Sequence, residues 1–265
     1  MPAPLGFMAD SKTALQANLQ DRRFGATFRR ESWWTEVLPV IIVFGGFGIY
    51  ATLRAMEGVH YEWGPYLSPF YSPLIDPQHH WLPQWFSPAM LILGAPLGFR
   101  TTCYYYRKAY YRAFFMTPPS CAVTGRSAGH YSGERKFPFI LQNLHRYFLY
   151  LALLFIIILW YDALKAFWFA DGFGIGLGSL IMLINVILLT AYTFSCHSLR
   201  HLVGGKLDCF SCAVAGGPRY QAWKGVSTLN ERHMQFAWAS LLSVGLCDLY
   251  ITLVSRGYIA DLRIL

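Results

Sequence analysis

"FGIGLGSLIMLINVILLTAYTFSCH", residues 173–197, contains no aspartate, glutamate, lysine or arginine and ends on a cysteine and a histidine. Crossing the hydrocarbon core of a bilayer takes roughly 20 apolar residues, so this run predicts a membrane-spanning helix. Four more candidate spans lie around it, at 37–53, 86–106, 147–168 and 234–255. The second is the weakest, because it carries Pro88, Pro96 and Arg100. The composition agrees, with 55% hydrophobic and only 14% charged residues among 265. The expected fold is an all-α integral membrane protein, a five-helix bundle forming one domain over 1–265. The first 35 residues are polar and charged with no central apolar run, unlike a cleavable signal peptide.

The net charge of +8 is informative by its position. Lys12, Arg22, Arg23, Arg29 and Arg30 precede the first span, and the loop from Ala55 to Trp85 has no lysine or arginine. Arg107, Lys108, Arg112, Arg126, Arg135, Lys136 and Arg146 follow the second span, and the turn after the third has no basic residue. Arg200, Lys206, Arg219, Lys224 and Arg232 follow the fourth. Positive charge stays on the cytoplasmic side, so the alternation predicts N-terminus inside and C-terminus outside. The basic loops then suit a soluble partner docking from the cytoplasm, and nucleic acid is not called for. "LQANLQDRRFGATFRR" before the first span could lie along the membrane as a basic amphipathic helix. The proline- and aromatic-rich loop holding His79, His80, Trp81 and Trp85 is expected to cap the outer end. In "GFGIGLG", Gly172 and Gly176, and Gly174 and Gly178, are spaced for close packing rather than for binding phosphate.

Directly after the opening stretch comes "CHSLRHLVGGKLDCFSC", residues 196–212, with two histidines and three cysteines. His197 and His201 share a helix face, Gly204 and Gly205 can end that helix, and Cys209 and Cys212 form a C-x-x-C turn. Zinc accepts this mixed donor set in a closed tetrahedral shell. A Rieske-type [2Fe–2S] cluster uses the same set, with cysteines on one iron and histidines on the other. Free cysteines in a reducing compartment are the third reading. Haem between helices stays open through His145, His197 and His233, all at the inner ends of spans. Of the ionisable residues within spans, Asp162 and Lys165 form an i, i+3 pair, and Asp248 is a candidate for a proton path or a structural ion pair.

"TTCYYYRKAYYRAFF", "PPSCAV", "FPFILQNLHRYF" and "CHSLRHLVGG" together resemble the single-chain, five-helix membrane anchor of bacterial succinate dehydrogenase. The R-H-L at Arg200 to Leu202 is similar to a helix end in haem-bearing anchors, where a haem-ligating histidine stands about two turns earlier. Here Phe194 occupies about that point, and the resemblance then implies the branch that carries a Rieske-type [2Fe–2S] cluster in place of haem. The ligands so implied are His197, His201, Cys209 and Cys212, with Cys121 and Cys196 in reserve. The implied partners are the flavoprotein and iron–sulfur subunits, the lipid bilayer and a quinone of menaquinone type, in the bacterial cytoplasmic membrane. Arg200, His233 and Trp238 are the candidate quinone-binding residues. A higher oligomer of the complex stays open. The rivals are a zinc-stabilised scaffold and a small transporter; no repeat or pair of broken helices supports the latter.

Overall fold

A computed structural model describes residues 23–75, 87–126, 134–137, 139–205 and 207–265. Its main elements are α1 (Leu38–Glu57), α2 (Pro88–Thr102), α3 (Tyr104–Ala113), α4 (His145–Lys165), α5 (Leu177–Phe194), α6 (His197–Arg200), α7 (Gly216–Asn230) and α8 (His233–Ser255). Two short antiparallel hairpins join them, β1 (Glu62–Trp63) with β2 (Tyr66–Leu67), and β3 (Trp168–Phe169) with β4 (Gly172–Phe173). Among the described residues four helices are long and apolar enough to cross a membrane, and these contain α1, α4, α5 and α8. α2 is 15 residues long and falls short of that length.

The second expected span, 86–106, is two helices. α2 starts on an N-cap, with the Ser87 hydroxyl accepting from the Ala89 N–H and Pro88 in the first turn. It stops where Cys103 turns extended, at φ −64° and ψ 132°, and α3 begins one residue later. The fourth span likewise ends early, at Phe194. Cys196 turns extended at φ −66° and ψ 138°, and its sulfur accepts from the Ser198 N–H to start α6. A π-helical turn, His201–Gly205, continues from α6. A cysteine thus sits at each of the two breaks.

The chain divides into two compact units, Met1–Phe47 with Tyr104–Phe139, and Gly48–Cys103 with Ile140–Leu265. In the first, the segment before α1 is tied to the loop after α3. Thr27 bridges Val123, and the Arg29 guanidinium donates to Ser120 Oγ and Glu36, each at 2.5 Å. The expected amphipathic helix falls partly outside the described residues; its end from Arg23 to Arg30 is not helical.

In the second unit α5 packs chiefly against α8 and α4, and α4 against α2. Tyr66, Ala163, Ala166, Met182, Val186, Cys247 and Ile251 form one buried cluster of its core. In "GFGIGLG", Gly176 and Gly178 make room for the Tyr66 side chain rather than for a neighbouring helix, and Gly174 makes room for Arg263 and Leu265. A Cβ at Gly178 would stand 2.4 Å from Cε2 of the Tyr66 ring. The C-terminal segment returns over the same place, where Asp261 accepts from the Tyr66 hydroxyl at 2.6 Å, the Tyr250 hydroxyl at 2.5 Å and the Gly178 N–H at 3.1 Å.

Candidate functional site

At one end of the second unit, two dipeptides and two histidines close a ring. Thr102–Cys103 ends α2, Ser195–Cys196 follows α5, His145 opens α4 and His233 opens α8. Thr102 Oγ1 is 2.9 Å from His145 Nδ1, and Cys103 Sγ is 3.4 Å from His233 Nε2. Ser195 Oγ is 2.7 Å from His233 Nδ1, and Cys196 Sγ is 3.1 Å from His145 Nε2. Each hydroxyl–thiol dipeptide therefore reaches both imidazoles, and each imidazole has one hydroxyl and one sulfur. Cys103, Cys196 and His233 are buried, and His145 is half-buried.

Rings hold the imidazoles in plane. His145 stacks on Phe99 with centroids 4.9 Å apart, and His233 stacks on Tyr192 at 5.2 Å. Phe99 and Tyr192 meet edge to face at 5.4 Å, so one aromatic wall backs both histidines. The Arg100 guanidinium lies 4.7 Å above the Tyr192 ring and donates to Ser240 Oγ at 3.1 Å. Asn230 at the end of α7 donates to the Ser195 carbonyl at 2.6 Å, fixing that dipeptide from a third side.

The expected ligand set is not assembled. Cys209 and Cys212 are joined to each other in a disulfide. His197 and His201 are both exposed, and His201 Nδ1 lies 2.9 Å from an Arg146 nitrogen. Between the two cysteines, Phe210 packs against Tyr220 and Trp223 of α7 and closely against Gly204, which seats the C-x-x-C turn on α7. Of the reserves, Cys196 is in the ring and Cys121 is exposed in the first unit. Among the quinone candidates only His233 belongs to the ring. Arg200 donates to Ser227 Oγ at 2.8 Å and lies over the Trp223 ring, which ties α6 to α7. Trp238 is half-buried on α8.

Asp248 stands at the opposite end of the second unit, fully buried. It accepts from Arg54 Nε at 2.9 Å, from the Tyr50 hydroxyl at 2.5 Å and from Ser68 Oγ at 2.5 Å. Arg54 also pairs with Glu57, which in turn pairs with Arg256. Asp162 accepts from Ser72 Oγ at 2.5 Å, its closest partner at that end. His79, His80, Trp81 and Trp85 lie outside the described residues.

Among the described residues, no group of three or more His, Cys, Asp or Glu side chains could hold a single metal ion. A binuclear cluster asks for less at each metal, two protein donors per iron, and its Rieske form asks for two thiolates and two imidazoles in all. That is the composition of the ring, and the chemistry of its donors fits the group. Haem would use the two imidazoles and leave both thiols without a role. His145, His233 and Cys196 were each singled out in the sequence, but not as one set with Cys103, because the four lie far apart in the chain. The available signal was a hydroxyl–cysteine pair ending two spans, with a histidine opening the two that follow.

Residues 35–257 match the family model described as actinobacterial succinate dehydrogenase subunit SdhC. No curated protein matches the chain. A chain in the structure of the Mycobacterium smegmatis Sdh1 complex in the apo form is 46% identical. The likeness covers 90% of this chain and 94% of that one, with a TM-score of 0.80.

Proposed function

The chain belongs to the actinobacterial succinate dehydrogenase SdhC family, and from that premise we propose that Cys103, Cys196, His145 and His233 hold a Rieske-type [2Fe–2S] cluster. When bound, such a cluster supplies one-electron transfer between the iron–sulfur subunit and quinone. As an SdhC-type subunit of a bacterial membrane complex, the chain works beside the flavoprotein and iron–sulfur subunits and carries no succinate chemistry itself. The observation that supports the cluster is the closed ring: two thiols and two imidazoles, on four different helix ends, with every imidazole nitrogen engaged.

On this reading the chain is one anchor domain with five spans, α2 being the short one, and its N-terminus is cytoplasmic. The ring then faces the basic side, next to Arg146, Arg200, Arg219 and Arg232, where the iron–sulfur subunit would dock. The quinone, of menaquinone type, lies beside His233 and Trp238. Arg200 is bonded to Ser227 and lies over Trp223, and Arg100, bonded to Ser240 Oγ and to the Ala237 carbonyl, is a second cation near Trp238.

Low-temperature EPR of the purified, dithionite-reduced complex tests the assignment, with Cys103→Ser and His145→Ala beside the unaltered protein. A rhombic Rieske-like signal, lost in both variants while the clusters of the iron–sulfur subunit remain, is the expected result. Its absence from the unaltered complex, with zinc bound instead, would sink the electron-transfer role.

A further inference from the structure

We propose that Thr102 and Ser195 are positioning residues that hold His145 and His233 as Nδ1–H tautomers, so that both present Nε2, and not Nδ1, as the ligating nitrogen. The inference rests on the cluster reading above and adds the atom through which each imidazole acts.

It follows from where the hydroxyl protons go. A hydroxyl carries one proton, and a carbonyl oxygen can only accept. Thr102 Oγ1 lies 2.6 Å from the Gly98 carbonyl oxygen, and Ser195 Oγ lies 2.9 Å from the Tyr192 carbonyl oxygen. Two oxygens so close repel unless a proton lies between them, so each hydroxyl donates to its own helix. Toward the histidine only lone pairs are left. Nδ1 of His145, at 2.9 Å, and Nδ1 of His233, at 2.7 Å, must then be the donors. A neutral imidazole carries one N–H, so the bare lone pair is on Nε2 in both rings. Those nitrogens are the ones that face Cys196 and Cys103.

Both histidines arrive at this arrangement from different helices and different hydroxyl residues. The hydroxyls follow from local geometry: each belongs to the last turn or cap of a helix whose next residue is the cysteine. One dipeptide thereby supplies a thiol to one histidine and a tautomer lock to the other. An imidazole that donates its remote N–H to a fixed acceptor is a stronger ligand through its other nitrogen. Removing that acceptor weakens electron donation and raises the cluster's midpoint potential.

Two measurements on the intact complex decide the matter. In unaltered protein grown with histidine 15N-labelled at Nδ1 or at Nε2, pulsed EPR of the reduced cluster should show the strong, directly coordinated coupling from the Nε2 label. In redox titrations followed by EPR, Thr102→Val and Ser195→Ala should each shift the midpoint upward, and Thr102→Ser should return it to the unaltered value. If Thr102→Val loses the cluster while Thr102→Ser keeps it, the hydroxyl is still shown to position the ligand. A strong coupling from the Nδ1 label overturns this inference and leaves the cluster reading standing. So do unchanged midpoints in both hydroxyl-deleting variants. An unaltered complex without a Rieske-like signal overturns the cluster reading and this inference together.

Discussion

The Cys196 sulfur stands 3.1 Å from Nε2 of His145, although 51 residues separate them in the chain. The contact joins the end of α5 to the start of α4, and the Thr102 hydroxyl holds the opposite edge of the same imidazole. Cys209 and Cys212, the neater pair in the sequence, are joined to each other instead. Opposite outcomes follow for two sets of variants. Cys209→Ser and Cys212→Ser should leave iron, acid-labile sulfide and the EPR spectrum of the complex unchanged, whereas Cys196→Ser should lose the iron and sulfide of one [2Fe–2S] cluster. Loss in the first pair with retention in the last would return the ligand set to the C-x-x-C turn.

Asp248 is a second case in which position decides between a functional and a structural role. Its carboxylate is closed in by Arg54, Tyr50 and Ser68 and is fully buried. Removing one member of a buried ion pair leaves the other charge uncompensated, at a cost of roughly 3–5 kcal/mol. Asp248→Asn should therefore lower the thermal midpoint of the detergent-solubilised complex. It should leave quinone reduction per assembled complex within about twofold, because the residue lies at the far end from the ring. The double variant Asp248→Leu with Arg54→Leu should cost less than the sum of the single changes. A normal melting curve with quinone reduction abolished would restore the proton-path role.

The spans were legible because burial in lipid leaves long apolar runs, and α1, α4, α5 and α8 lie within about five residues of the expected limits. Their ends were harder to read, and the site is at the ends. No glycine or proline marks the stop at Thr102, so Cys103 looked like one more residue inside a helix. The same holds for Cys196, which looked like part of a run continuing to His197. Density of donors within seventeen positions drew attention to residues 196–212, yet convergence here comes from contacts 43, 51, 130 and 38 residues apart in the chain. A single histidine opening a membrane helix is ordinary until a thiol and a hydroxyl are seen around it.

Gly178 offers a packing prediction with a built-in control. A methyl group there would lie within 2.4–2.8 Å of three atoms of the Tyr66 ring, which is itself buried. Overpacking of this kind costs about 1–3 kcal/mol, so Gly178→Ala should lower the thermal midpoint. At Gly45, in α1, an added Cβ meets nothing within 4 Å. Gly45→Ala should be neutral or stabilising by about 0.5–1 kcal/mol, since alanine is the better helix former. Pairing Gly178→Ala with Tyr66→Leu should recover part of the loss if the ring is the obstacle.

Tyr66 also sets an expectation for alkaline pH. Burial first, and the hydrogen bond to Asp261 second, push its hydroxyl from the ordinary value of 10.0 up to about 12. The folded protein thus holds this proton more tightly than the unfolded chain. Its contribution to stability is complete below pH 10.0 and is lost as pH rises toward about 12. Unaltered protein should lose thermal stability over that window more steeply than Tyr66→Phe, which has no proton to release there. Below pH 9 the unaltered protein should be the more stable of the two by a constant margin, because Tyr66→Phe lacks the bond to Asp261. Thermal melts of both proteins at pH 7, 9, 10 and 11 measure the difference. Parallel curves would mean that the folded protein holds the Tyr66 proton no more tightly than the unfolded chain does.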